Sequence, residues 1–122
     1  MPNTDSVFDR TTVLHRLGGD LALYGSIAHL FLNHYPGELE TLKCALAAGD
    51  AGTLHRTAHS LKGAISNFAA ARAVEAARTL EFAHKAGELA GNADALVADT
   101  IAAVEEFAAA IRADLEASDL PA

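Results

Sequence analysis

The sequence predicts an all-α protein, an up-down four-helix bundle with a short additional N-terminal helix. Three observations lead there. Alanine dominates the apolar residues while aromatics make up only 6%, and alanine is the strongest helix former. The prolines fall at Pro2, Pro36 and Pro121, so the long periodic stretches are almost free of them. Apolar residues recur at steps of three and four in several long segments joined by short polar breaks. That is the pattern of amphipathic helices packed against antiparallel neighbours.

Residues 1–8 read as a flexible N-terminal tail, residues 9–115 as the bundle and residues 116–122 as a fraying C-terminal tail. The first helix is expected from about Asp9 to Leu17, ended by Gly18-Gly19. Asp20 can cap the second helix, because its carboxylate accepts from the orphan amides of the first turn. That helix carries Leu23, Ile27, Leu30, Phe31 and His34 at helical spacing. Pro36 is expected to break or restart it, and Leu39, Leu42 and Leu46 continue the stripe up to Gly49. Gly49-Asp50 is a stop followed by a start, a terminal glycine and then a capping aspartate. The third helix is expected from about Ala51 to Phe68, with Leu54, Ala58, Leu61, Ile65 and Phe68 forming the face of a packed bundle helix. The fourth spans about Ala70 to Ala86 and shows Val74, Ala77 and Leu80. Gly87 to Asn92 reads as a loop. The last helix runs from about Ala93 to Leu115, with Val97, Ile101, Val104, Phe107 or Ala108, Ile111 and Leu115.

Bulk properties exclude several function classes. The 122 residues suit one domain with a single modest core. The net charge of −7 argues against nucleic acid and against an anionic membrane surface, since both call for Lys and Arg. No apolar stretch approaches the ~18 residues that a membrane span needs. Met1 to Arg10 lacks a signal-peptide core. The lone Cys44 fits a reducing compartment, so the cytoplasm is the expected location. The single-domain layout with a tail at each end suggests a free-standing protein.

The chemistry concentrates on the third helix. At about 100° per residue its core residues gather on one side and His59 points away from them. His55, Lys62, Gly63 and Ser66 share the stripe of His59. A neutral imidazole is a good nucleophile near neutral pH and can take a phosphoryl group on a ring nitrogen. A lysine one turn away supplies positive charge to phosphoryl oxygens. A glycine inside a helix costs about 1 kcal/mol relative to alanine, which asks for a reason. Here it would remove bulk beside the histidine and let another protein's backbone approach. Spacing alone leaves a plainer alternative open, a solvated histidine beside a solubilising lysine.

A metal-binding bundle is a rival reading. His55 and His59 are four apart, as zinc ligands on a helix can be. Glu81-x-x-His84 fits one half of a di-iron signature, but it has no counterpart elsewhere in the chain, so no metal site is assigned. His15, His29, His34 and His84 read as structural or solvated, with His34 half-buried on the apolar side of its helix. Cys44 reads as a small packing residue.

The run Ala58-His59-Ser60-Leu61-Lys62-Gly63 resembles the central motif of histidine-phosphotransfer (HPt) domains of two-component phosphorelays. Leu17-Gly18-Gly19-Asp20, the stretch from Leu30-Phe31-Leu32 to Gly49-Asp50, and Asn67-Phe68 with Ala70 are similar to the same family. The likeness covers roughly Thr11 to Ile111. It implies a phosphoacceptor role for His59, phosphoryl stabilisation by Lys62 and receiver access at Gly63. Ser66 and His55 are candidate binding residues by their place on the same stripe, with a plain surface histidine as the alternative for His55. Two departures stand out. Ala64 and Ile65 replace residues that are often small and polar, and Ala69 stands where the family usually has glycine, so a left-handed backbone there would be strained. The resemblance further implies a carrier rather than an enzyme. Its expected partners are response-regulator receiver domains, with a hybrid sensor histidine kinase as a further partner. It implies no cofactor of its own, with Mg2+ held by the receiver. The sequence shows no phosphate-cradling glycine loop or kinase signature. A module that docks such partners without taking phosphate is the alternative.

Overall fold

The computed structural model describes residues 7–86 and 89–118, and the side chains of all of these except 84–86 and 89–91. The helices are α1 (Arg10–Arg16), α2 (Leu21–Ala48), α3 (Ala51–Ser66), α4 (Ala71–Ala86) and α5 (Leu89–Ser118), and no strand occurs among the described residues. Aspartates start three of them. The Asp9, Asp20 and Asp50 carboxylates accept from the backbone amides of Thr12, Leu23 and Thr53 at 3.1, 3.0 and 3.0 Å. Gly49 closes α2 in the left-handed conformation (φ 67°), so the chain reverses into α3 within two residues.

The four long helices pack as a ring in which α2 touches α3 and α5, while α4 lies between α3 and α5. Short α1 lies against α2 and is tied across the bundle by Arg10, which bonds Asp114 on α5 at 3.1 Å. Tyr24 donates to the same carboxylate at 2.6 Å. Burial first, and the Asp114 carboxylate second, push the Tyr24 phenol above its ordinary value. Phe31, Phe68 and Phe107 meet at the centre, with ring centroids 5.0–5.9 Å apart. No described helix is long and apolar enough to cross a membrane.

Several expectations change in three dimensions. Helix α2 runs unbroken through Pro36. Pro36 is exposed, so solvent can serve the carbonyl one turn back, while buried Phe31, Tyr35 and Leu39 hold both halves on the core. The buried face of α2 is Tyr24, Ala28, Phe31, Tyr35, Leu39, Leu42 and Ala45, whereas Leu23, Leu30 and His34 are exposed. Two tyrosines whose hydroxyls find partners, Asp114 and Arg112, take the interior in place of leucines. Val7 and Phe8, assigned to the tail from sequence, pack against the core, with Phe8 meeting Tyr24 and Phe107. Residues 89–92 are helical instead of part of a loop, because Ala93, Leu96 and Val97 anchor the first turns of α5 on the core. Gly87 and Glu88 lie outside the described residues. Cys44 is exposed rather than packed.

Ala69, in the α3–α4 connection, adopts φ 53°. A left-handed alanine carries ~1–2 kcal/mol of strain, partly offset when glycine replaces it because glycine loses more chain entropy on folding. Ala69→Gly is therefore expected to raise stability by about 0.5 kcal/mol, while Ala69→Val should lower it by ~1–3 kcal/mol, since a β-branched residue fits that conformation worst. Urea unfolding of the three proteins should give midpoints in the order Gly, Ala, Val.

Candidate functional site

The site forms where α3 faces α4. Leu54, Ala58, Leu61 and Ile65 are buried and anchor α3, so the opposite face must meet solvent. His59 lies on that face with its side chain 68% exposed. Its Nδ1 is 2.5 Å from Glu81 Oε2 on α4. Lys62, one turn on and 27% exposed, places Nζ 2.6 Å from Glu81 Oε1. The Glu81 side chain itself is only 7% exposed. One buried carboxylate thus joins the histidine and the lysine.

Burial pushes the Glu81 carboxyl up, but Lys62 and then His59 outweigh it, and the group is held below its ordinary value. Glu81 is therefore ionised near neutral pH and can only accept hydrogen bonds. The proton in the contact belongs to His59 Nδ1. The two nitrogens point in divergent directions around the imidazole ring, so Nε2 faces away from Glu81.

His55 is half-buried, and its Nδ1 lies 3.0 Å from the Glu81 main-chain oxygen. A carbonyl only accepts, so His55 is the donor and ties α3 to α4 immediately behind the His59–Glu81 contact. Gly63 is exposed, and a Cβ built there would meet nothing within 4 Å. The chain's own packing gives no reason for a glycine at that position. Ser66 is exposed too, but its hydroxyl turns back to the Gly63 carbonyl at 2.9 Å. The structure brings His59, Lys62 and His55 together around Glu81. It leaves Gly63 and Ser66 on the open side of the same stripe.

A groove of about 290 Å³ runs past Ser60 between α2 and α3, with Ile27, Leu30, His34, Ala64 and Phe68 among its walls. Leu30, at the groove's edge, is 56% exposed. Ser60, the neighbour of His59, donates to Glu38 across the rim at 3.2 Å. On the other side, exposed Phe82 lies beneath the Lys62 ammonium and the Arg78 guanidinium, each 5.5 Å from the ring centroid.

Sequence reasoning missed the part Glu81 plays here, having weighed it only as half of a metal signature. A signal was present. Val74, Ala77 and Glu81 are spaced by three and four residues, which places a carboxylate on the buried stripe of α4. Among the described residues, no three His, Cys, Asp or Glu side chains converge to hold a metal ion. The side chain of His84 lies outside the described set.

Comparison with known proteins agrees with the helical fold. The family model described as Hpt domain matches residues 26–119. The crystal structure of histidine-containing phosphotransfer protein B (HptB) from Pseudomonas aeruginosa PAO1 is similar, with a TM-score of 0.80 and 26% sequence identity over 90% of this chain and 95% of that chain. No curated protein sequence matches. With most of its length matched by that family model, and with the helical bundle of a phosphotransfer protein, the chain belongs to the Hpt domain family.

Proposed function

We propose that this protein carries a phosphoryl group on His59, accepting it from and donating it to aspartates of response-regulator receiver domains. One observation carries the reading. His59 is exposed on a rigid helix, with Nδ1 held by a buried carboxylate, Nε2 facing outward and a lysine one turn away. In the transfer, Nε2 attacks phosphorus in line and the receiver's aspartate leaves. The Lys62 ammonium offers three donors, enough to meet a phosphoryl oxygen while staying close to Glu81. The receiver supplies Mg2+ and most of the catalytic groups, so this protein acts as substrate and carrier rather than as an enzyme.

The docking surface in this reading is the α2–α3 groove with Leu30 and Ile27, which runs past Ser60 and offers apolar area for a modest, transient interface. A hybrid sensor kinase would reach His59 through the same surface. Open space around Gly63 supports close approach of a partner's backbone.

The first test is incubation with a radiolabelled phospho-receiver. Acid-labile, base-stable label should appear on the wild type and on His55→Gln. Failure to take label from receivers that demonstrably bind would overturn the carrier reading in favour of docking alone. Gly63 supplies a separate prediction. Gly63→Ala should stabilise the fold by about 0.5–1 kcal/mol, because the helix gains a better former and nothing clashes. The same substitution should slow transfer from a receiver by crowding the approach. Thermal melts and transfer rates should move in opposite directions.

A further inference from the structure

We infer that exposed Phe82 of α4, held between Lys62 and Arg78, forms a cationic ledge that meets acidic residues around the receiver's phosphoaspartate and selects which receivers dock. The inference rests on the carrier reading for the identity of the partner. Phe82 is 43% exposed. The Lys62 ammonium and the Arg78 guanidinium each lie 5.5 Å from its ring centroid. A large apolar side chain left singly in water is ordinary. This ring, however, carries two cations and follows Glu81, the partner of His59, in the chain. It limits the freedom of two long side chains before any partner arrives, so less freedom is lost on docking.

Charge explains why such a ledge is needed. The chain bears a net charge of −7. A receiver gathers carboxylates where it holds Mg2+, because that ion takes oxygen ligands. Two acidic proteins therefore meet at His59, and like charges set face to face disfavour contact. Lys62 does not offset this alone, since Glu81 already balances it at 2.6 Å. Arg78 is the cation that tips the balance. Its pairing with Glu75, at 3.9 Å with side chains 58% and 66% exposed, is loose and shared with water. Across the site the sign is opposite, because Glu38 stands at the rim of the α2–α3 groove and accepts from Ser60. The surface around His59 thus has a basic side on α4 and an acidic side on α2. A receiver that turns its acidic residues toward α4 is attracted, while the reversed orientation sets them against Glu38. The groove supplies apolar contact, and the ledge supplies orientation and selection.

The test is a binding isotherm of the full chain with receiver domains, taken at low and high salt. For a receiver that binds the wild type, Arg78→Glu should raise Kd roughly tenfold, and Phe82→Ala about threefold to tenfold. Melting temperatures should stay close to wild type, because both side chains lie at the surface. High salt should narrow the gap between Arg78→Glu and wild type, since exposed charges are screened. Lys43→Glu makes the same change of charge on α2, outside the groove and the ledge, and should shift Kd by about twofold at most. Among single Asp or Glu to Lys changes around the receiver's phosphoaspartate, one should restore binding to Arg78→Glu. The inference is overturned by an Arg78→Glu Kd no worse than that of Lys43→Glu, by failure of every such exchange to restore binding, or by a panel in which no receiver binds. Self-association that Phe82→Ala abolishes, with receiver binding intact, would give the ledge to a second copy and overturn it too. Label transfer to the wild type with a Kd indifferent to Arg78 would sink the ledge alone. Binding that depends on Arg78, with no label transferred, would sink the carrier reading and leave the ledge standing.

Discussion

His59→Gln is expected to reduce phosphoryl uptake below detection while leaving the fold and partner docking close to wild type. The argument separates chemistry from structure. The His59 side chain is largely exposed and packs against no part of the core, so its loss creates no cavity. Glutamine can still donate an amide hydrogen toward Glu81, so the buried carboxylate keeps a partner. What glutamine cannot supply is a nucleophilic nitrogen, because its amide lone pair is delocalised into the carbonyl. Label transfer from a phospho-receiver, read beside a binding isotherm for the same receiver, checks both halves. Residual acid-labile label on the variant would mean that the phosphoacceptor lies elsewhere on the chain.

Phe107→Ala is expected to produce the largest loss of stability. Phe107 is fully buried where α2, α3 and α5 converge, in ring contact with Phe8, Phe31 and Phe68. Truncating a buried phenylalanine costs ~3–5 kcal/mol from lost transfer energy and the cavity left behind. Domains of this kind have roughly 5–15 kcal/mol in total, so about a fifth or more would disappear. The corresponding drop in melting temperature is roughly 10–20 °C. The exposed Leu30 is the control. Leu30→Ala should leave stability within about 0.5 kcal/mol and weaken receiver docking instead. Thermal unfolding of both variants tests the pair, and similar melting temperatures would mean that the aromatic cluster is not the centre of the core.

The histidine helix was legible in the sequence because one-dimensional spacing and three-dimensional burial coincide there. Leu54, Ala58, Leu61, Ile65 and Phe68 are all buried, as their periodicity predicts, and His59 is exposed on the opposite face. Ala69 was equally legible, since a residue standing in a glycine position does take the left-handed backbone. Helix α2 was less so. Its large apolar residues occupy more than one face, and periodicity cannot say which face the neighbouring helices will cover. Tyr24 and Tyr35 won the interior because Asp114 and Arg112, some 90 and 77 residues away in sequence, meet their hydroxyls.

By itself the sequence determined the all-helical class, the aspartate caps of α2 and α3, the histidine helix and the face on which His59, Lys62 and Gly63 stand. These depend on propensity, capping and periodicity, which act within a few residues along the chain. Only the tertiary structure decided that Glu81 of α4 lies under His59 and Lys62 of α3, and that Leu30 stays in water at the edge of the α2–α3 groove. The physical reason is that a buried carboxylate is tolerated only where other elements bring it donors and a counter-charge. Which elements do so is settled when the helices pack, not when they form.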